Sequence, residues 1–233
     1  LFLVSACKKE EEKPSTNTTT DSYAINTANP HDWIGRRHNG CLDTLLKEHY
    51  NKTFTSRDEI FQLSFDYLAV DYPSPSYNDL YVRYKSAFDA SETTTDFGVL
   101  LSKNGASASV VQYTQRMLDS FDVAPTNNTF CGTMKTLEQE IINSTVLDST
   151  EQAILLSSAA VFRYSSNYWN NNFVIWEDFS GGSGAHTAGS VAKEDGKGAV
   201  IGGVGGSLGG PGGALVGGLL GAAGNSLASW IFD

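Results

Sequence analysis

The chain has 233 residues and a mass of 25.1 kDa, which fits one domain with appendages or at most two small domains. Hydrophobic residues make up 40% of it and aromatic residues 11%, so a disordered chain is excluded. A formal charge of −10 at pH 7 disfavours binding to phosphate groups, and we therefore predict no nucleic-acid partner.

The first residues predict export and lipid attachment. Residues 1–6 are apolar and then small, and Cys7 follows them directly. Val4-Ser5-Ala6-Cys7 resembles the lipobox of bacterial lipoprotein signal peptides, in which the cysteine thiol carries the lipid. The resemblance implies a residual signal peptide over 1–6, a lipidation site at Cys7, membrane lipid as a partner and a location in the outer membrane. A buried N-terminal strand is the alternative, but the charged run Lys8–Lys13 follows too closely for one.

A polar segment connects Cys7 to the first predicted helical region. Its charged start, Lys8–Lys13, resembles the export tag of surface lipoproteins from Bacteroidota, which implies exposure at the cell surface. Residues 14–22 lack large apolar side chains, as extended linkers do. We therefore predict a lipidated flexible tether over 7–28.

The middle of the chain, residues 29–178, is predicted to be a helical domain. Apolar residues recur there at spacings of three and four, and Ser56–Glu59 and Ser149–Gln152 match capping boxes that open helices. The pattern predicts a mostly α fold, a small bundle of five or six helices with a C-terminal glycine-rich helix or helical hairpin. About 145 residues can bury a core, so we expect this domain to fold alone. The predicted helices run from Ser56 to before Pro73, over 76–90, 107–121 and 130–142, and onward from Ser149.

Segment 29–43 is the richest in chemistry-bearing side chains. His38 and Cys41 share a helix face and His49 follows, so three ligands of a zinc site could be drawn. No fourth ligand and no established zinc spacing accompanies them, and we predict no metal and no cofactor. The favoured interpretation is structural: a turn at Asn29-Pro30, Trp33 and Ile34 docked on the bundle, and His38 and Asn39 capping or hydrogen-bonding the start of a helix over Leu42–Tyr50.

Two motifs carry a family resemblance. Residues 29–42 resemble the signature Asn-Pro-x-Asp-aromatic-aliphatic-Gly-x-x-His-Asn-x-x-Leu of uncharacterised surface lipoproteins from Bacteroidota. Those chains continue with a helical region that ends in Arg-Tyr-Ser-x-x-Tyr-Trp, which stands here at 163–169, and some carry a glycine-rich tail. The resemblance implies a similar helical lipoprotein and supplies no activity.

Two cysteines remain if Cys7 carries lipid. In an oxidising compartment Cys41 and Cys131 form an even pair, so a disulfide between them and two independent buried thiols are both open. A nucleophile built from either cysteine and a histidine is less favoured, because neither lies in a catalytic signature.

Aromatic and amide side chains cluster near the end of the helical domain. They could form a surface for sugars or peptides, and the favoured alternative is that the aromatic rings complete the core. The members are Tyr164, Tyr168, Trp169 and Trp176 with Asn167, Asn170, Asn171 and Asn172.

The C-terminal segment, residues 198–233, follows a predicted glycine- and serine-rich hinge over 179–197. From Gly198 to Phe232 it carries no charge, and this length suffices to cross a bilayer. Its glycines disfavour a helix in water, so we expect order only where lipid or a neighbouring helix imposes it. Collapse of the segment onto the domain is the alternative.

Glycine spacing in this segment predicts a glycine zipper. One helix face would carry the glycines, an opposite face would carry aliphatic residues, and Pro211 would bend or divide the helix. Trp230 would lie at a membrane interface. The zipper residues are Gly198, Gly202, Gly206, Gly209, Gly213, Gly217 and Gly221, and the aliphatic ridge is Ile201, Val204, Leu208, Leu215 and Leu219.

The pattern resembles the tails of bacteriocin-like membrane-active peptides and of small glycine-zipper lipoproteins. We therefore expect a non-catalytic, envelope-anchored lipoprotein whose zipper associates with membrane or with further copies of the chain. A bacteriocin-like effector with the zipper as its active part is the first alternative, and a ligand-binding or enzymatic helical domain is the second. Gly205-Gly206-Ser207-Leu208-Gly209 matches a serine-nucleophile motif by letters, but no predicted strand precedes it.

Overall fold

The computed structural model describes most of the chain between Ser22 and Phe232. All regular structure in this part is helical, which confirms the predicted mostly α bundle. The predicted signal peptide, Cys7, residues 7–21 of the tether, the Pro73 stop and nearly all of the predicted helix 76–90 lie outside the described residues. The prediction of a flexible tether is wrong for residues 22–28, because Ala24 is fully buried and its carbonyl accepts a hydrogen bond from Arg163. The described residues are 22–49, 54–69, 82, 85–86, 96–124, 126–180 and 186–232.

The helices follow one another with short connections wherever successive helices are described. A short 3₁₀ turn, Ser207–Gly209, separates the last two. The helices are α1 (Asp32–His49), α2 (Arg57–Ala69), α3 (Phe97–Lys103), α4 (Ala108–Val123), α5 (Asn127–Ile142), α6 (Ser149–Ser180), α7 (Ala188–Gly206) and α8 (Gly210–Phe232).

Side-chain caps fix where several helices begin. Ser107 accepts a hydrogen bond from the Val110 amide at the start of α4, and Thr126 accepts one from the Thr129 amide at the start of α5. The predicted box at Ser149 is shifted by one residue. Asp148 accepts from the Glu151 amide at 2.8 Å, and the Glu151 carboxylate accepts from the Asp148 amide at 2.9 Å.

Helix α1 begins earlier than the sequence predicts. The turn at Asn29-Pro30 is present, because the Asp32 amide donates to the Asn29 carbonyl at 3.1 Å. The Asn29 side chain also accepts from the His31 amide at 2.7 Å, and α1 starts directly after it. His38 and Asn39 therefore lie within the helix, and their predicted capping of a helix over 42–50 is wrong. Trp33 and Ile34 do dock on the bundle, with Ile34 fully buried.

Helix α6 is the central element, and the α7–α8 hairpin packs along it. Gly203 of α7 and Gly218 of α8 lie against the first turns of α6, whereas Asp195 and Ser226 lie near its middle. Helix α7 is thus antiparallel to α6, and α8 is parallel to it. Helices α1 and α5 pack on other sides of α6, and α2 packs on α8. The glycine-rich tail is therefore part of the core.

The predicted hinge over 179–197 is wrong at both ends. Helix α6 continues to Ser180, and α7 already begins at Ala188. Thr187 and Ser190 form a reciprocal capping box there, which supplies the start that sequence reading missed. Residues 188–197 are helical, and Asp195 among them is completely buried. Residues 181–185 of the predicted hinge lie outside the described part.

Helix α3 was not predicted at all. It has seven residues, and the Asp96 side chain caps it by accepting from the Val99 amide at 3.0 Å. Leu100 and Leu101 are its buried residues. An aspartate followed by this adjacent apolar pair is a short signal, which the longer periodicities on either side obscure.

Candidate functional site

Six glycines face one another across the interface between α7 and α8. A Cβ atom on any of them would overlap a carbonyl oxygen of the other helix. The two backbones can lie this close because no side chain separates them. The zipper predicted from the sequence therefore closes within one chain. The opposed pairs are Gly198 with Gly221, Gly202 with Gly217, and Gly206 with Gly213.

Two predicted members of the zipper segment do not join this packing. Gly209 has no atom within 4 Å of a Cβ position, and Leu208 is 81% exposed. Both lie in the turn that reverses the chain, where Gly210 adopts a φ of +70° and Pro211 follows. A face drawn on one straight helix cannot continue through such a reversal. Of the predicted ridge, Ile201, Val204 and Leu219 are buried, and Leu215 is partly buried.

Trp230 does not occupy the predicted position at a membrane interface. It is 1% exposed, and its ring stacks on Trp169 with centroids 5.3 Å apart. Phe173 packs edge-on against it at 5.1 Å. The end of the tail is therefore anchored in an aromatic layer between α6 and α8.

The two motifs of the family resemblance meet around Arg163. Its guanidinium donates to Asp32 Oδ1 at 2.7 Å, to Glu138 Oε1 at 2.8 Å and to the Ala24 carbonyl. The Asp32 carboxylate also accepts from the Tyr164 hydroxyl at 2.8 Å. Arg163, Asp32 and Glu138, which we call the arginine cluster, are buried and tie α1, α5 and α6 together.

Charge explains why the arginine cluster is stable when buried. Burial by itself would lower the pKa of Arg163, but the charges and hydrogen bonds of Glu138 and Asp32 outweigh it, and the net shift is upward. Asn29 donates to Glu138 Oε1 at 2.6 Å and Asn26 to Glu138 Oε2 at 2.5 Å, so the Glu138 carboxylate also accepts hydrogen bonds from two side-chain amides. The cluster is a satisfied structural network.

A second buried group, the aspartate cluster, surrounds Asp195 of α7. Trp169 Nε1 donates to its carboxylate at 2.7 Å, and the Ser165 and Ser226 hydroxyls donate to the same carboxylate. His38 Nε2 lies 3.7 Å from Asp195 and 3.1 Å from Ser226 Oγ. All five side chains are buried, and they join α1, α6, α7 and α8.

The aspartate cluster contains a serine, a histidine and an aspartate, but their order differs from that of a catalytic triad. A triad needs the histidine between the serine and the carboxylate. Here Ser226 lies between His38 and Asp195, and all three are inaccessible to substrate. Burial raises the pKa of the Asp195 carboxyl, against the opposing influence of His38 and the donors. The arrangement holds four helices in register.

Of the two alternatives for the remaining cysteines, the structure has two separate buried thiols and no disulfide between them. Cys41 on α1 and Cys131 on α5 are both fully buried, and these helices pack separately on α6. Cys131 Sγ donates to the Arg163 carbonyl at 3.8 Å. Burial raises the pKa of Cys41 to about 12, which removes its nucleophilic form at neutral pH.

The three residues drawn as zinc ligands are not arranged as a metal site. His38 is engaged with Ser226 and with Asn39 Oδ1 at 3.0 Å, and Cys41 is enclosed in the apolar core. Within the described ranges, no group of three or more histidine, cysteine or carboxylate side chains is positioned to hold a metal ion. Ser207 of the glycine-rich motif donates to the Val204 carbonyl in the hairpin turn.

The aromatic cluster near the end of α6 completes the core, as the favoured interpretation predicted. Tyr164, Tyr168, Trp169 and Trp176 are all buried. Some neighbouring amides face an open cleft of about 480 Å³. The cleft is lined by Tyr23, Phe121, Ala124, Thr126, Asn127, Asn128, Phe130, Ser166, Asn170, Ala188 and Gly189.

One helical stretch among the described residues, Ala188–Ser226, is long and apolar enough to cross a membrane. The core helices of soluble proteins can have the same length and composition, and this stretch includes the hairpin turn and the buried Asp195.

Comparison with known proteins returned no matching family model, no matching curated protein and no matching solved structure.

Sequence reading missed the aspartate cluster because its members are far apart in the chain. Asp195, Ser165 and Ser226 are ordinary residues when read singly. The available signal was Asp195 close to the uncharged stretch Gly198–Phe232. If that stretch packs in a core, a carboxylate beside it must find buried hydrogen-bond donors.

Proposed function

We propose that the chain is a non-catalytic lipoprotein of the bacterial outer membrane, held there by lipid on Cys7 with its helical domain exposed at the cell surface. The lipobox resemblance supports the anchor. The observation that carries the proposal is the burial of the tail, since Trp230 is 1% exposed and the zipper glycines face each other. In this proposal, lipid on Cys7 anchors the chain, and the tail serves the fold.

The same packing bears on self-association. A second chain could use the zipper only after α7 and α8 had separated, because each zipper glycine already faces a backbone of its own chain. The proposal therefore assigns the zipper to folding, and it expects no homo-oligomer formed through Gly202 and Gly217.

Cell fractionation tests the proposed anchor. The full chain and its Cys7→Ser variant are expressed, behind a complete lipoprotein signal, in a bacterium that lipidates such proteins. We expect the unchanged chain in the outer membrane after a carbonate wash and the variant in the soluble fraction. Retention of the variant in the washed membrane would overturn the proposal, because it would show that the tail is an anchor.

A membrane-active effector is the second candidate, and the uncharged segment Gly198–Phe232 of the α7–α8 hairpin favours it. Its two helices are preassembled through glycine contacts, and its turn exposes Leu208 without any charged neighbour from Gly198 to Phe232. This candidate expects the full chain to release dye from anionic phospholipid vesicles, and a Leu208→Asp variant to release less. Absence of leakage at micromolar protein would eliminate it.

A further inference from the structure

The open cleft beside α6 has a rigid frame. Asn127 is held on both sides of its amide, because it accepts from the Ser166 hydroxyl at 2.6 Å and donates to the Ser166 carbonyl at 3.1 Å. The Tyr23 hydroxyl donates to Asn167 Oδ1 at 3.0 Å, which holds the tyrosine ring against α6. These hydrogen bonds engage the polar groups of Asn127 and Tyr23. They therefore fix the walls of the cleft before any ligand binds.

Two further amides at the cleft remain available. Asn128 at the start of α5 and Asn170 on α6 line it and are exposed. Within the described part of the chain, neither side chain makes a hydrogen bond. Each carboxamide offers two donor hydrogens and one acceptor oxygen, so the pair suits a ligand that carries several hydroxyl groups.

The described part of the cleft lining is electrically neutral. None of the described residues that line it is charged. The nearby cation, Lys193 on α7, is already paired with Asp122, with N···O distances of 2.6 and 2.8 Å. The formal charge of −10 on the whole chain also opposes an anionic ligand. An uncharged ligand is therefore favoured.

Aromatic rings supply the remaining part of the recognition chemistry. Tyr23 and Phe121 are half-buried at the wall, and Phe121 is braced edge-on by Phe130 with centroids 4.7 Å apart. Ring C–H groups of a sugar can pack on such a wall while its hydroxyls bond to amides. We propose that this cleft, with Asn128 and Asn170 as its polar contacts, binds a neutral mono- or disaccharide.

Saturation-transfer NMR on the full chain tests the saccharide site. The probes are glucose, galactose, N-acetylglucosamine, cellobiose, lactose and chitobiose at millimolar concentration, with inorganic phosphate and acetate as anionic competitors. We expect transfer to the ring protons of at least one sugar, with no displacement by the anions. An Asn128→Ala/Asn170→Ala double variant should bind that sugar at least tenfold more weakly.

A matched control comes from a second surface cleft. Gln112 and Gln115 line an open depression between α3 and α4, so a Gln112→Ala/Gln115→Ala variant removes two carboxamides elsewhere. This variant should bind the sugar as the unchanged chain does. The proposal is overturned if no probe sugar binds, if both double variants bind equally, or if only the anions bind. These outcomes do not depend on Cys7 and so are separate from the test of the anchor.

Discussion

At the scale of single residues, Asp195 shows how a charge is kept inside this fold. Burial removes the water that would stabilise its carboxylate, and three donors with His38 replace part of that water. Serine hydroxyls can reverse and accept a hydrogen bond, whereas the Trp169 ring nitrogen can only donate. The tryptophan therefore requires an acceptor at position 195, but it does not require a charge there.

Asp195→Asn is predicted to change the pH dependence of stability. The folded chain binds the Asp195 proton more tightly than the unfolded chain, because burial raises this pKa above its ordinary 3.8. The contribution of Asp195 to the free energy of unfolding is therefore most favourable below its ordinary pKa of 3.8, and it declines as pH rises through the raised pKa. Urea unfolding from pH 4 to 8 should show wild-type stability falling relative to the asparagine variant as pH increases.

Asp195→Ala serves as the control for this prediction. It leaves the Trp169 donor without an acceptor, so it should be less stable than Asp195→Asn by about 1–3 kcal/mol. A difference between wild type and the asparagine variant that stays flat or grows with pH would contradict the assigned shift.

Both buried thiols are predicted to resist modification in the native protein. A thiolate is the reactive species, and Cys41, with a pKa of about 12, stays protonated at neutral pH. In a Cys7→Ser chain, Ellman's reagent should find no reactive thiol under native conditions. It should titrate Cys41 and Cys131 after unfolding in guanidinium without reductant. Failure to recover both thiols would indicate a disulfide, which this structure does not contain between Cys41 and Cys131.

At the scale of elements, the zipper reverses the ordinary effect of glycine in a helix. Each helical glycine disfavours its helix by close to 1 kcal/mol relative to alanine. Here the missing side chains let α7 and α8 approach so closely that no Cβ would fit between the backbones, and such close packing favours dispersion between the two helices. The segment packs against a partner, as its glycine content requires, and that partner is the other half of the same segment.

Gly202→Ala and Gly205→Ala are predicted to shift stability in opposite directions. A Cβ at Gly202 overlaps the Gly217 carbonyl, so this variant should lose about 1–3 kcal/mol. Gly205 lies in the same helix with open space at its Cβ, so its variant should gain about 0.5–1 kcal/mol. Thermal and urea unfolding measure both. Equal effects of the two substitutions would mean that the zipper does not close within the chain.

Local signals were enough to predict several helices but not what they pack against. Capping residues such as Ser107 and the apolar spacing near it depend on neighbours in the sequence, and α4 begins where they indicate. The burial of Trp230 depends on Trp169, which lies far away in the chain. The same holds for the cleft, since Tyr23, Asn128 and Asn170 come from separate segments. The spacing of apolar residues along one sequence does not indicate which distant residues will contact each other.

At the scale of the whole molecule, two buried clusters make the chain one folding unit. The arginine cluster joins α1, α5 and α6, and the aspartate cluster joins α1, α6, α7 and α8. Helix α2 also depends on the tail, because Phe61 packs against Gly224 of α8. The expectation that residues 29–178 fold alone therefore conflicts with what their core contacts.

A chain ending at residue 197 is predicted to lose cooperative folding. It lacks α8 and half of α7, so Ile154 and Trp169 on α6 lose their covering groups, and Asp195 loses the Ser226 donor. Burying apolar surface contributes about 25 cal/mol per Å², and the tail supplies buried apolar side chains such as Leu219, Leu220 and Trp230. Near-UV circular dichroism and urea unfolding should show a broad, non-cooperative transition. A matched chain that begins at residue 22 and retains the tail should unfold as sharply as the full chain. Sharp unfolding of the truncated chain would restore a separate helical domain and free the tail for a membrane.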